Sequence, residues 1–144
     1  MFSKACEYAI RATTFLASCA ESGDRQNLKQ IAEACDAPEA FTAKILQTLS
    51  KDGIIHSIKG AFGGYEIPSD KLSVVKLSDV VKSIDGDNIY NGCGLGLAHC
   101  NEKKPCPLHF HFKSIRDELK EMLESTSIGD LAHDLNKGGA LLKR

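Results

Sequence analysis

The chain has 144 residues, 42% apolar and 26% charged, with a formal net charge of -1, which is enough for one compact core and too short for a second full domain. No apolar run reaches the length of a bilayer-crossing helix, and Met1 leads straight into a charged amphipathic segment rather than a signal peptide, so a soluble, cytoplasmic protein with no membrane partner is expected. Residues 1–67 hold seven basic and eight acidic side chains, so any attraction to nucleic acid must come from local arrangement, not from bulk charge.

Ala5, Tyr8, Ala9, Ala12, Phe15, Leu16 and Cys19 recur at intervals of three and four, predicting an amphipathic first helix that ends near Ser22-Gly23. Asn27 and Gln30 form a capping-box pattern opening a short second helix with Leu28, Ile31 and Ala32 inward. Pro38 starts a third helix that runs to about Lys51 and is closed by Asp52-Gly53. Its expected buried stripe is Phe41, Ile45 and Leu49. The opposite face carries Ala40, Ala43, Lys44, Gln47, Ser50 and Lys51, and is free to meet a partner. Residues 54–58 and 65–67 read as paired strands around the turn Lys59-Gly60-Ala61-Phe62-Gly63-Gly64. Short helices followed at once by a glycine-tipped hairpin make a winged helix-turn-helix. The expected fold is therefore mainly α with a small β-hairpin wing.

Beyond Pro68, Ser78 is expected to cap a short helix carrying Leu77, Val80, Val81 and Ile84 and stopping at Asp85-Gly86. Residues 86–106 read as a long irregular loop, a length that is usually functional or disordered, and its three cysteines favour function. Over 108–124, Phe112, Ile115, Leu119 and Met122 mark a narrow seam on a long C-terminal helix, suited either to dimerisation or to ordinary core packing. Ser127 and Asp130 then cap a last helix bearing Ile128, Leu131 and Leu135, ahead of a loose Gly138-Gly139 tail.

The six cysteines fall into two groups. Cys6, Cys19 and Cys35 lie among helical apolar positions and read as small buried side chains. Cys93, Cys100 and Cys106 crowd one loop, and with His109 they form C-x6-C-x5-C-x2-H, among Gly92, Gly94, Gly96 and Pro105. In a reducing compartment such thiols read as metal ligands rather than disulfides. Soft donors so grouped favour zinc or an iron-sulfur cluster. Three cysteines and a histidine make an acceptable closed zinc site, although these gaps depart from the short knuckles of zinc ribbons and fingers. No C-x-x-C pair or partnered acid points to thiol catalysis, so no enzyme is expected. His99 and His111 fall off the pattern and read as solvated.

Residues 4–11 (Lys-Ala-Cys-Glu-Tyr-Ala-Ile-Arg), the segment from Ile31-Ala32 to Leu49, the wing from Lys59 to Tyr65 and the three loop cysteines together resemble the IscR/NsrR family of regulators, over about residues 2–135. The resemblance implies a homodimer paired through the long helix, with residues 1–68 as the DNA-binding region and residues 69–144 carrying the cluster loop and dimerisation helix in one continuous domain. It further implies that Cys93, Cys100 and Cys106 hold an iron-sulfur cluster, with His109 matching the fourth ligand of the iron-sulfur-assembly regulators, a 2Fe-2S arrangement. In nitric-oxide-sensing relatives the cluster is 4Fe-4S and an acidic residue of the partner's first helix completes it; Glu7 falls at that place. The first cysteine gap is six residues here where the family has five.

For DNA, the resemblance implies a double-stranded operator with the third helix in the major groove and the wing beside the minor groove. Lys44 and Gln47 would then face base edges, and Ala40 and Ala43 could offer apolar contact to a thymine methyl. The iron-sulfur-assembly regulators carry a carboxylate at the place of Ala43. Lys59 takes the basic wing position, with Gly60 permitting close backbone approach. The expected function is a DNA-binding regulator controlled by its cluster. The alternatives are a zinc-stabilised or a cluster-free regulator of the same fold, controlled by a partner protein.

Overall fold

A computed structural model describes residues 1–143. The first helix, α1 (Lys4–Ser18), begins where the Ser3 hydroxyl accepts from the Cys6 N–H at 3.1 Å. It stops short of the predicted end because residues 21–25 have nothing to bury; the Ser22 hydroxyl instead donates to the Cys19 carbonyl at 2.9 Å. The second, α2 (Leu28–Ala34), opens on the expected box, in which Asn27 Oδ1 accepts from the Gln30 N–H at 2.9 Å and Gln30 Oε1 from the Asn27 N–H at 2.8 Å. After Pro38, α3 (Glu39–Lys51) buries Thr42, Ile45, Leu46 and Leu49. Phe41, expected in that stripe, is 37% exposed and sets its ring edge-on to Tyr8 at 5.7 Å. The buried arc is centred on Leu49 and Thr42, which leaves Phe41 at its margin.

The wing is the antiparallel pair β1 (His56–Ile58) and β2 (Gly64–Glu66), in the register His56 to Glu66, Ser57 to Tyr65 and Ile58 to Gly64. Ile54, Ile55 and Ile67, predicted as strand residues, lie outside the ladder: their side chains are drawn into the core and carry the backbone out of the sheet. Gln26, just ahead of α2, bridges β2, its N–H donating to the Tyr65 carbonyl at 3.0 Å and its carbonyl accepting from the Tyr65 N–H at 2.8 Å. The base of the wing is thereby tied to the helix pair.

A single 3-10 turn, Ser69–Lys71, precedes α4 (Leu77–Asp85). Its N-cap is Lys76 rather than Ser78, because Asp79 Oδ2 reaches back to accept the Lys76 N–H at 2.8 Å. The predicted irregular loop contains a one-turn helix, α5 (Asn88–Asn91), ahead of the long α6 (His109–Ser125). The last helix, α7 (Ile128–Asn136), is capped as expected, the Ser127 hydroxyl accepting from the Asp130 N–H at 3.1 Å.

At the centre lies α1, whose Ala9, Ala12 and Leu16 are buried among Ile31, Leu46, Leu49, Ile55, Val80 and Ile128. Alanines at two of these places let α3, α4 and α7 approach it closely, so the residues on both sides of position 68 share one core. A second, smaller cluster joins Cys6 of α1, Leu77 and Val81 of α4 and Leu123 of α6. The result is a mainly helical winged helix-turn-helix with the long α6 seated on α4 and α5. No helix among the described residues is long and apolar enough to cross a membrane.

Candidate metal centre and nucleic-acid interface

On α6, residues 109, 112, 116, 119 and 123 recur at three and four, which places them within an arc of about 80°. That arc faces the protein. Leu123 is fully buried and Leu119 packs beside it; His109, at the other end, is 4% exposed. Between these ends the arc meets the cysteine loop. A Cβ on Gly94 would fall 2.8 Å from the Phe112 ring, so only a glycine lets that ring lie on the loop backbone. The predicted seam therefore divides. Phe112 and Leu119 turn toward loop and body, while Ile115 and Met122, at 59% and 45% exposure, remain outward.

The four candidate ligands form two pairs. Cys93 Sγ and Cys106 Sγ stand 4.0 Å apart, and Cys100 Sγ stands 3.4 Å from His109 Nδ1. The pairs are held by local backbone structure. The Gly96 N–H donates to the Cys93 carbonyl at 2.9 Å, and the His109 N–H donates to the Cys106 carbonyl at 3.0 Å, fastening Cys106 to the first turn of α6. A tetrahedral ion with metal–sulfur bonds of about 2.3 Å and metal–nitrogen bonds of about 2.0–2.1 Å would hold two thiolates roughly 3.8 Å apart, or a thiolate and an imidazole roughly 3.6 Å apart. Each pair is thus spaced for one metal. Among the described residues, no three His, Cys, Asp or Glu side chains gather closely enough to hold a single ion. Two such pairs would suit two metals with two protein ligands each better than a single four-ligand ion. His109 Nε2 is buried without a partner.

The electrostatics separate the two cysteine groups. The Cys93 thiol is held below its ordinary value by the N–H groups of Leu95 and then Leu97, with smaller help from Cys106 and the Arg116 charge. Burial pushes Cys6 up to about 12 and Cys35 up to about 11, and it raises Cys19 as well. Cys6 and Cys35 are core residues, as expected, and Cys19 is half-buried. Glu7 is on the exposed side of α1, paired with Lys4 at 2.9 Å and with Arg11 at 3.9 Å.

Away from its buried stripe, α3 exposes Ala40, Lys44, Gln47 and Lys51, with Ala43 and Ser50 half-buried. In the wing Lys59 and Gly60 are exposed, and Gly60 has φ +106°, a conformation that suits glycine. Gly63 fits only as glycine, since a Cβ there would lie 2.2 Å from the Ile58 carbonyl oxygen. Three side chains at these sites were not found from the sequence. Arg25 donates to Glu66 at 3.0 Å and to the Phe62 carbonyl at 3.1 Å, bracing the wing. Phe62 is 90% exposed at its tip. Arg116 meets the cysteine loop, and its place seven residues beyond His109 was the available signal.

Comparison with known proteins identifies the family and the fold. The Rrf2 family, described as iron-dependent transcriptional regulators, matches residues 2–134. A Mycobacterium tuberculosis protein described as an HTH-type transcriptional regulator is 32% identical over 142 residues, covering 96% of this chain and 82% of that protein. Two solved structures share the fold: T. potens IscR, with a TM-score of 0.76 at 20% identity over 97% of this chain and 91% of that one, and Bacillus subtilis CymR, titled a global cysteine regulator, with 0.74 at 24% over 92% and 96%. The chain belongs to the Rrf2 family of DNA-binding, winged-helix transcriptional regulators.

Proposed function

We propose that this regulator grips a double-stranded DNA operator as a homodimer and that a 2Fe-2S cluster held by Cys93, Cys100, Cys106 and His109 controls its affinity. The observation that carries the reading is the division of the four donors into two pairs at 4.0 Å and 3.4 Å, each spaced for one tetrahedral metal. When bound, the cluster supplies a one-electron redox centre. His109 opens α6 and its N–H holds the Cys106 carbonyl just ahead of it, so whatever orders the loop also fixes the start of that helix. The outward Ile115 and Met122 then offer a strip for pairing with a second copy. In such a dimer Lys44, Gln47, Ala40 and Ala43 of each α3 read a half-site, while Lys59 and Gly60 approach the neighbouring backbone. A change in the tilt of α6 alters the spacing of the two recognition helices, and a coupling of about 1–3 kcal/mol suffices for a switch.

The test is anaerobic reconstitution with ferrous iron and sulfide, followed by metal and sulfide analysis, sedimentation, and operator binding by fluorescence anisotropy. The expected result is about two irons and two sulfides per chain in a dimer whose affinity differs at least fivefold between loaded and apo forms, about 1 kcal/mol. A colourless protein holding one zinc per chain supports the zinc-stabilised module instead. Iron content near four per chain, lost on Glu7→Ala but kept on His109→Ala, supports the larger cluster. A protein that takes up neither metal leaves the cluster-free regulator controlled by a partner protein.

A further inference from the structure

Arg116 occupies the middle of the inward arc of α6, and its surroundings are unusual for an arginine. One terminal nitrogen donates both to Cys100 Sγ, at 3.3 Å, and to the Gly92 carbonyl. Its Nε is buried without a partner, and no carboxylate among the described residues forms a salt bridge with it. A half-buried guanidinium that meets no anion carries a desolvation cost which a neighbouring negative centre would offset. Among the described residues, the side chain that accepts a hydrogen bond from it is the Cys100 thiol.

We propose that Arg116 is a positioning residue for the metal centre: its guanidinium holds the loop at Gly92 and Cys100, and its positive charge favours the reduced form of the cluster. The proposal rests on the cluster reading given above. Reduction adds one electron from a one-electron donor, converts one ferric ion to ferrous, and requires no proton. The ligand set remains intact while the centre gains a negative charge. A fixed cation and a hydrogen bond to a ligand sulfur both stabilise that added charge, which raises the potential. Arg116 also lies on the helix assigned to dimer pairing, so the residue that senses the charge of the centre is part of the element that would transmit it.

The experiment compares the natural protein with Arg116→Gln and Arg116→Lys, each reconstituted anaerobically with iron and sulfide and titrated with dithionite against mediator dyes, the reduced fraction being read by electron paramagnetic resonance. In Arg116→Gln the reduced-to-oxidised ratio at a fixed ambient potential is expected to fall at least tenfold, about 59 mV for a one-electron couple. Arg116→Lys, which keeps the charge but not the fork, is expected to recover at least half of the shift. Potentials unchanged in both variants overturn the proposal while leaving the cluster reading intact. Should Arg116→Gln hold no iron, the lysine variant decides: a near-natural potential supports the role of charge. Loss of iron from both variants, with natural helix content, makes Arg116 only a strut of the loop and overturns it. Failure of the natural protein to take up iron removes the cluster reading, and this proposal with it.

Discussion

Leu123→Ala tests whether α6 is mechanically joined to the DNA-binding body. Leu123 is fully buried, against Cys6 at 0%, Val81 at 0% and Leu77 at 7% exposure. All three neighbours sit on α1 and α4, and those helices are also anchored in the main core by Ala9 and Val80. The walls therefore cannot close on the space left by the lost side chain. Under such conditions a leucine truncation costs about 3–5 kcal/mol, the lost transfer energy plus an unfilled cavity. For a chain of this size that corresponds to a fall in Tm of about 10–15 °C. The assay is thermal and urea denaturation at fixed protein concentration, since Tm of the proposed dimer would depend on it. A cost below about 1.5 kcal/mol would refute the reasoning, because α6 would then be seated elsewhere.

Three further outcomes are expected. Lys59→Ala weakens operator binding and lowers the slope of log K against log salt by about 0.9, one phosphate contact; an unchanged slope removes the wing lysine from the interface. Gly63→Ala forces a Cβ into the Ile58 and Gly60 carbonyl oxygens at 2.2 and 2.9 Å, so the wing must reshape: affinity should fall on the order of tenfold, or 1.4 kcal/mol, while Tm, set by the helical core, moves little. The Asp130 carboxyl is held below the usual carboxylate range by the backbone N–H of Ser127 and then by its hydroxyl. A group so depressed contributes stability that is fully present above its unfolded value near about 3.9 and is lost as pH falls through the folded value. Asp130→Asn should therefore flatten the acid limb of the stability curve below about pH 4 and leave neutral pH almost unaffected in slope.

Some of the site could be read along the chain and some could not. The crowding of three thiols into one loop and the order of the winged helix were legible because residue type, glycine placement and three-to-four periodicity are local properties. The capping boxes at Asn27 and Ser127 were legible for the same reason, since both partners lie three residues apart. Ser78 was misread as a cap because serine has the right chemistry, whereas the Asp79 carboxylate reaches back three residues to the Lys76 N–H. Phe41 was misplaced because a helical wheel has no knowledge of which neighbours approach it. The Arg25 to Glu66 brace joins residues 41 apart and leaves no pattern in the sequence.

The amino-acid order by itself determined where helices begin and end to within a few residues, which faces are apolar, and that soft donors crowd one loop. Only the packed chain decided how those donors divide. It set Cys93 beside Cys106 and Cys100 beside His109, and it split the apolar row of α6 between an inward arc and an outward strip. The reason is that spacing along a chain constrains torsion angles within a few residues, whereas a distance between side chains in a loop is set by the surfaces that close around it.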